Sequence, residues 1–180
     1  TWPRQRVLLH LGAVDHDARV WINGQLAGGH RGGYTSFSLD ISPWLVSGSN
    51  VVTVEARDDT RSPLQAGGKQ CPDYSSRGCH YTRTTGIWQT VWAEPVPRTY
   101  LSSMKLTTDL ENGLAIISVD VAGDPSHGTI RVQATLEGRV VGSGQARYVG
   151  HRAAVVLPLQ EVVAWELGRP TLYDLTLTLD

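Results

Sequence analysis

Helical periodicity is nearly absent from this chain. Very few stretches repeat apolar residues at i, i+3, i+4 and i+7, and a single phenylalanine stands against nineteen glycines, nine prolines and six tryptophans. That composition points to strands and turns. No apolar run approaches the roughly 20 residues that span a bilayer, so no membrane partner is expected. Neither charge dominates: 16 Lys and Arg face 17 Asp and Glu, the net charge is −1, and the pI is about 6.6. The basic surface that nucleic acid or anionic lipid demands is missing. No Gly-rich loop follows a strand and opens a helix, and no Gly-x-Ser-x-Gly elbow occurs. The six histidines are dispersed and form no i, i+4 pair. The expectation is therefore no cofactor, no metal and no catalytic residue. The opening Thr1-Trp2-Pro3-Arg4 has neither an initiator methionine nor an apolar signal region. It reads as the edge of an excised segment, with any targeting signal and the compartment hidden.

Only two cysteines are present, Cys71 and Cys79, in one loop-like stretch. Two free thiols, a disulfide worth about 2–3 kcal/mol through chain entropy, and a zinc site completed by His80 are the alternatives. The spacing matches no standard zinc ligand pair, and free thiols are the favoured reading.

What is present reads as strands. Val7-Leu8-Leu9-His10-Leu11 has strand length. Ala18, Val20 and Ile22 share a face opposite Arg19 and Trp21, and Val52, Val54 and Ala56 alternate with Thr53, Glu55 and Arg57. Ile87, Gln89, Val91 and Ala93 alternate with Trp88, Thr90, Trp92 and Glu94, which predicts one strand. Asn23-Gly24 between apolar runs predicts a tight hairpin. Gly32-Gly33 predicts a bend whose φ values are closed to other residues. From Ala56 to Gly86 periodicity disappears, and long aperiodic connections of this kind are usually functional. Its aromatic and basic residues favour an ordered binding loop over a floppy insertion. Pro95-Val96-Pro97 is expected to end strand pairing and to mark a domain boundary. Beyond it, alternation over 115–121, 130–136 and 173–179, a turn at Glu137-Gly138 and a further strand through Ala154 and Val156 predict about seven short strands. One short helix is expected from Leu159 to Trp165.

Acidic pairs are scarce. Asp58 and Asp59 are adjacent and would point to opposite faces. Asp15 and Asp17 are expected in a turn or at the surface. Trp21, Trp44, Trp88 and Trp92 are expected in core or inter-domain packing.

Three stretches carry a family resemblance: Val20 to Ile41 with Gly12-Ala13-Val14-Asp15 before it; Tyr81-Thr82-Arg83-Thr84-Thr85-Gly86-Ile87-Trp88-Gln89-Thr90-Val91-Trp92, which resembles a closing jelly-roll strand; and Pro170-Thr171-Leu172-Tyr173-Asp174-Leu175. Together they resemble the N-terminal part of family 2 glycoside hydrolases, which include β-galactosidases, β-glucuronidases and β-mannosidases. The resemblance implies an all-β fold: a galactose-binding-like jelly-roll sandwich over residues 1–96, lacking its opening strands, and an immunoglobulin-like β-sandwich over 97–180. It implies a carbohydrate partner and, as a second partner, a C-terminal (β/α)8 barrel that holds both catalytic glutamates and lies outside this chain. The long loop would approach the sugar through Asp73, Tyr74, His80, Tyr81 and Arg83. The arginine matched in galactosidase-like members could equally be a structural salt-bridge partner. Gly32 stands where those members carry a sugar-binding aspartate. His30-Arg31-Gly32-Gly33-Tyr34 is closer to the bend of glucuronidase- and mannosidase-like members, with Arg31 replacing an acid. The readings that follow are a non-catalytic sugar-binding and spacer fragment of a retaining β-glycoside hydrolase, a freestanding carbohydrate-binding module, or a structural β-sandwich protein.

Overall fold

The computed structural model describes residues 5–124 and 127–180, so the opening Thr1-Trp2-Pro3-Arg4 lies outside the described residues. The fold is all-β, with antiparallel strands, and the chain divides into two compact units, Thr1–Val96 and Pro97–Asp180.

In the first unit, β1 (Arg6–Leu11), β2 (Val14–Asp15), β3 (Asp17–Ile22), β4 (Gln25–Arg31), β5 (Phe37–Asp40), β6 (Val52–Arg57), β7 (Gly86–Ile87) and β8 (Val91–Val96) form two three-stranded sheets and a short ribbon. The sheet orders are β5-β1-β8 and β4-β3-β6, and the ribbon is β2-β7. Alternation sends Val7, Leu9 and Leu11 of β1 and Ala18, Val20 and Ile22 of β3 into one shared core, joined by Phe37, Leu39, Val54 and Ala56. The β3–β4 hairpin turns on Asn23 and Gly24 with φ of 51° and 81°, the positive pair of a tight hairpin turn. The Asn23 side chain then donates to the Trp44 carbonyl (2.8 Å) and accepts from Val51 N (2.9 Å), tying the turn to the chain on either side of Asn50.

Two expectations need correction here. Residues 87–94 are not one strand. Gly86–Ile87 pairs with β2, while Val91–Val96 pairs with β1. Between them Gly12 N donates to Thr90 O at 2.9 Å, and a Cβ on Gly12 would lie 2.7 Å from Gln89 Cβ, so this crossing requires a glycine. Pro95 does not stop pairing either. It sits opposite Val7 within β8, at the sheet edge, where a missing N–H leaves no ladder bond broken.

In the second unit, β9 (Thr99–Asp109), β10 (Leu114–Gly123), β11 (His127–Leu136), β12 (Arg139–Val149), β13 (Arg152–Pro158) and β14 (Asp174–Leu179) form one six-stranded sheet ordered β14-β11-β12-β13-β10-β9. Six longer strands replace the seven short ones expected. β12 and β13 are registered only at Val149↔Arg152, beside the Gly150 turn. The sheet therefore folds back there and brings its two halves face to face. Ile117, Val119 and Val121 of β10 and Val155 and Leu157 of β13 meet Ile130, Val132 and Ala134 of β11. The Glu137-Gly138 turn between β11 and β12 has φ of 51° and 77°.

The helix expected from Leu159 to Trp165 does not form. Gln160 N donates to Val141 O (2.7 Å), and the Tyr173 hydroxyl accepts from Val163 N (2.6 Å) and donates to Glu161 O (2.9 Å). One phenol thus satisfies backbone groups that a helix would have used, as a tyrosine corner does in β-sandwiches. Tyr173→Phe leaves these partly buried groups unpaired and should cost about 1–2 kcal/mol. Urea unfolding followed by circular dichroism should show a lower midpoint with an unchanged slope.

Candidate functional site

One corner of the first unit is assembled around Asp15. β2 is only two residues long, yet it places this carboxylate in the interior, with 6% of the residue exposed. The surface position expected from sequence is wrong for Asp15 and right for Asp17, which is exposed and pairs with Arg31 at 3.2 Å. Asp15 Oδ2 accepts from Gln70 Nε2 at 2.9 Å, while Oδ1 is buried without a hydrogen-bond partner and faces the Gly33 backbone. A Cβ on Gly33 would fall onto Oδ1 and lie 2.9 Å from Cγ. Gly33 is therefore required for close approach, whereas Gly32, at φ 132°, is required for its backbone conformation.

Asp15 thereby holds two segments far apart in sequence. Through Gly33 it abuts the bend after β4. Through Gln70 it grips the long loop, because Gln70 Oε1 accepts from Thr84 N at 2.7 Å. Trp88 closes the corner from a third direction, its indole N–H donating to Gly33 O at 2.7 Å and its ring meeting Tyr34 edge-on at 5.8 Å. Within the loop, Tyr81 N donates to Lys69 O (3.0 Å) and Cys71 N to Tyr81 O (2.8 Å), while Asp58 accepts from Gln65 and from Thr85. Cys71 is buried and Cys79 exposed, both as free thiols.

The five loop residues singled out from sequence do not form one constellation. Tyr74 and Arg83 come together, the guanidinium lying 4.3 Å from the ring centroid, and Arg83 also donates to Pro72 O at 3.0 Å. Tyr74 is 85% exposed, and a second guanidinium, that of Arg61, lies 5.8 Å from its ring centroid. Asp73 is paired with Arg77 at 3.0 Å on the surface. His80 is exposed, and its backbone N–H donates to Arg77 O. Tyr81 belongs with the bend instead: its hydroxyl and that of Tyr34 both flank Gly68, where a Cβ would lie 3.2 and 2.8 Å from them. Partial burial, with Tyr81, Asp15 and Asp58 nearby, raises the Tyr34 phenol above its ordinary range. Sequence reasoning missed Asp15, Gln70, Tyr34 and Gly33 as one unit. The available signal was an aspartate directly after the apolar Ala13-Val14, combined with a double glycine. Trp88 and Trp92 lie about half exposed, at 50% and 46%, rather than in the core.

A shallow concavity of about 530 Å³ lies elsewhere, on the outer face of β11, β12 and β14, lined by Arg131, Gln133, Ser143, Gln145, Thr176 and Thr178. It has no aromatic side chain on which a ligand could stack.

Two expectations follow. Gly33→Ala should destabilise the chain by about 1–3 kcal/mol, by displacing Asp15 from Gln70. The loss should shrink by at least about 0.5 kcal/mol in an Asp15→Ala background, as read from a double-mutant cycle of urea midpoints. Above pH 10 the native state keeps the Tyr34 proton that the unfolded chain releases, so stability falls as pH rises through that window. Comparing thermal melts above and below pH 10 in wild type and Tyr34→Phe should show the slope reduced in the variant.

Residues 1–64 match the family model for the sugar binding domain of glycosyl hydrolases family 2. The chain is 29% identical over 177 residues to a Formosa agariphila protein whose name assigns it as a β-glucuronidase, covering 95% of this chain and 20% of that protein. It is 25% identical over 184 residues to a β-galactosidase of Thermoanaerobacter pseudethanolicus, covering 97% and 24%. Among solved structures, a glycosyl hydrolase family 2 member from Bacteroides cellulosilyticus superposes with a TM-score of 0.73 at 14% identity, covering 97% of this chain and 24% of that one. The apo β-glucuronidase of Ruminococcus gnavus gives 0.71 at 19% identity, covering 99% and 31%. The chain thus spans about a fifth to a third of the length of these proteins.

Proposed function

For a chain that is homologous to the N-terminal region of family 2 glycosyl hydrolases, we propose the role of a non-catalytic, sugar-facing wall and spacer in a longer retaining β-glycoside hydrolase. Residues 1–96 are the sugar-binding jelly roll, and 97–180 an immunoglobulin-like spacer. The carboxyl pair that cleaves the glycosidic bond belongs to a barrel domain elsewhere in the polypeptide. The observation that carries this reading is the Asp15 corner. A buried carboxylate fixes a bend and a long loop together, and the two segments then offer aromatic and guanidinium groups at the surface. Sugar rings are held in this way, by aromatic faces against their C–H surfaces and by planar polar groups on their hydroxyls.

The acids of this chain that lie near one another in sequence are occupied structurally. Asp15 holds Gln70, Asp17 holds Arg31, and Asp58 holds Gln65 and Thr85. Their work is to shape the corner, which is consistent with catalysis residing in another domain. The carbohydrate contacts fall to Tyr74 and Arg83 together, with Asp73 and His80 elsewhere on the loop and Tyr81 at the bend as separate contacts. Arg83 braces the loop through Pro72 O and lies over the ring of Tyr74, which leaves it beside the aromatic side chain that a sugar would meet.

The chain alone should release no nitrophenol from nitrophenyl β-galactoside or β-glucuronide. In the longer enzyme, Tyr74→Ala and Arg83→Ala should raise KM about 3–10-fold and change kcat less than about twofold, because they remove contacts shared by bound substrate and transition state. Turnover by the isolated chain, or an unchanged KM in both variants, overturns the proposal.

A further inference from the structure

The outer face of the β5-β1-β8 sheet carries a second group of side chains, distinct from the Asp15 corner. Register places Ser38, His10 and Trp92 side by side in one row, and Asp40, Leu8 and Glu94 in the next. His10 is fixed at both nitrogens, Nδ1 to Ser38 Oγ at 2.7 Å and Nε2 to Glu94 Oε2 at 3.1 Å. Its ring lies flat against Trp92, with centroids 4.7 Å apart and planes 11° apart. One indole face is therefore backed by a clamped imidazole, while Trp92 as a whole remains 46% exposed. Leu8, between Asp40 and Glu94 in the next row, is buried.

We propose that this face is a second carbohydrate-binding site, built on Trp92, that takes a neutral β-linked pyranose unit of a glycan chain. The proposal rests on the carbohydrate reading above but uses none of its residues. A half-exposed indole on a regular strand offers the flat apolar surface that the C–H face of a pyranose covers. Because His10 is held by two partners, the platform loses little freedom when a sugar docks, and this preorganisation favours binding. Glu94 stands on the same face one row away, with its side chain about half exposed (54%), as an acceptor for sugar hydroxyls.

Charge selects the ligand. Glu94 and Asp40 bring two carboxylates to this face, and Arg6, at 3.3 Å from Asp40, offsets one of them. The remaining negative charge disfavours uronate residues and leaves neutral hexoses preferred. A β-galactosyl unit suits the platform, because its axial hydroxyl leaves a patch of C–H groups on the opposite ring face.

Affinity electrophoresis of the 180-residue chain through gels containing soluble β-galactan or hyaluronan tests this directly. The chain should be retarded by β-galactan and not by hyaluronan. Trp92→Ala should weaken retardation at least about ten-fold, as expected for loss of a stacking contact, while Trp92→Phe should retain most of it. Trp165→Ala, an exposed tryptophan of the second unit, should leave it unchanged. Because Trp92→Phe keeps an aromatic ring in the strand, it remains informative even where the alanine variant misfolds. No retardation by β-galactan, equal retardation of wild type and Trp92→Ala, loss in Trp92→Phe as complete as in the alanine variant, or stronger retardation by hyaluronan overturns the proposal. Loss with Trp165→Ala but not with Trp92→Ala also overturns it, while leaving the role of the Asp15 corner intact.

Discussion

A carboxylate in the interior is expensive, and the first unit is arranged around one that has a single side-chain hydrogen bond among the described residues. Burying an ion without full compensation costs far more than a neutral hydrogen bond returns. Asp15 retains that position because its single strong contact, Gln70, also fixes the loop at Thr84, and its free oxygen faces a residue with no side chain. Remove the carboxylate and three segments lose their common reference: the short β2, the bend at Gly32–Tyr34 and the loop beyond β6. Trp88 depends on the same arrangement, since the carbonyl that receives its indole N–H belongs to Gly33.

The second unit is stabilised differently. Its core is apolar and built by alternation along β10, β11 and β13, with no buried charge among its described core residues. Its polar device is Tyr173, whose hydroxyl serves the irregular segment between β13 and β14. Exposed ion pairs such as Arg152–Asp120 (2.8 Å) decorate its surface, and surface pairs of this kind contribute little to stability. The second unit is thus held by a dry core and one internal clasp, and the first by a buried carboxylate that fixes a long loop without packing it away.

The aromatic residues divide along the same line. Trp44 packs partly against the core of the first unit, whereas Tyr34, Tyr74, Trp88 and Trp92 remain substantially exposed, each braced by a specific neighbour. Large aromatic surface left in water is unfavourable unless something covers it. An indole backed by a clamped imidazole and a phenol backed by a guanidinium are both ready-made platforms for a ligand with an apolar face.

Local rules were enough for much of this molecule. Period-2 alternation located β3, β6, β10, β11 and β14, because in a sandwich with one dry face the pleat itself decides which side chains are buried, and a short apolar run located β1. Positive-φ turn chemistry located the hairpins at Asn23-Gly24 and Glu137-Gly138. The motifs around the bend and before β7 pointed to the family region that the comparisons support. The sequence by itself could not give the break between β7 and β8, the unformed helix at 159–165 or the burial of Asp15. Each depends on a partner distant in the chain: Gly12 against Gln89, Tyr173 against Glu161 and Val163, Gly33 against Asp15. Alternation is a property of neighbours along one strand and can be read there. A buried charge or a shared hydroxyl is a property of segments that only the folded chain brings within hydrogen-bonding distance.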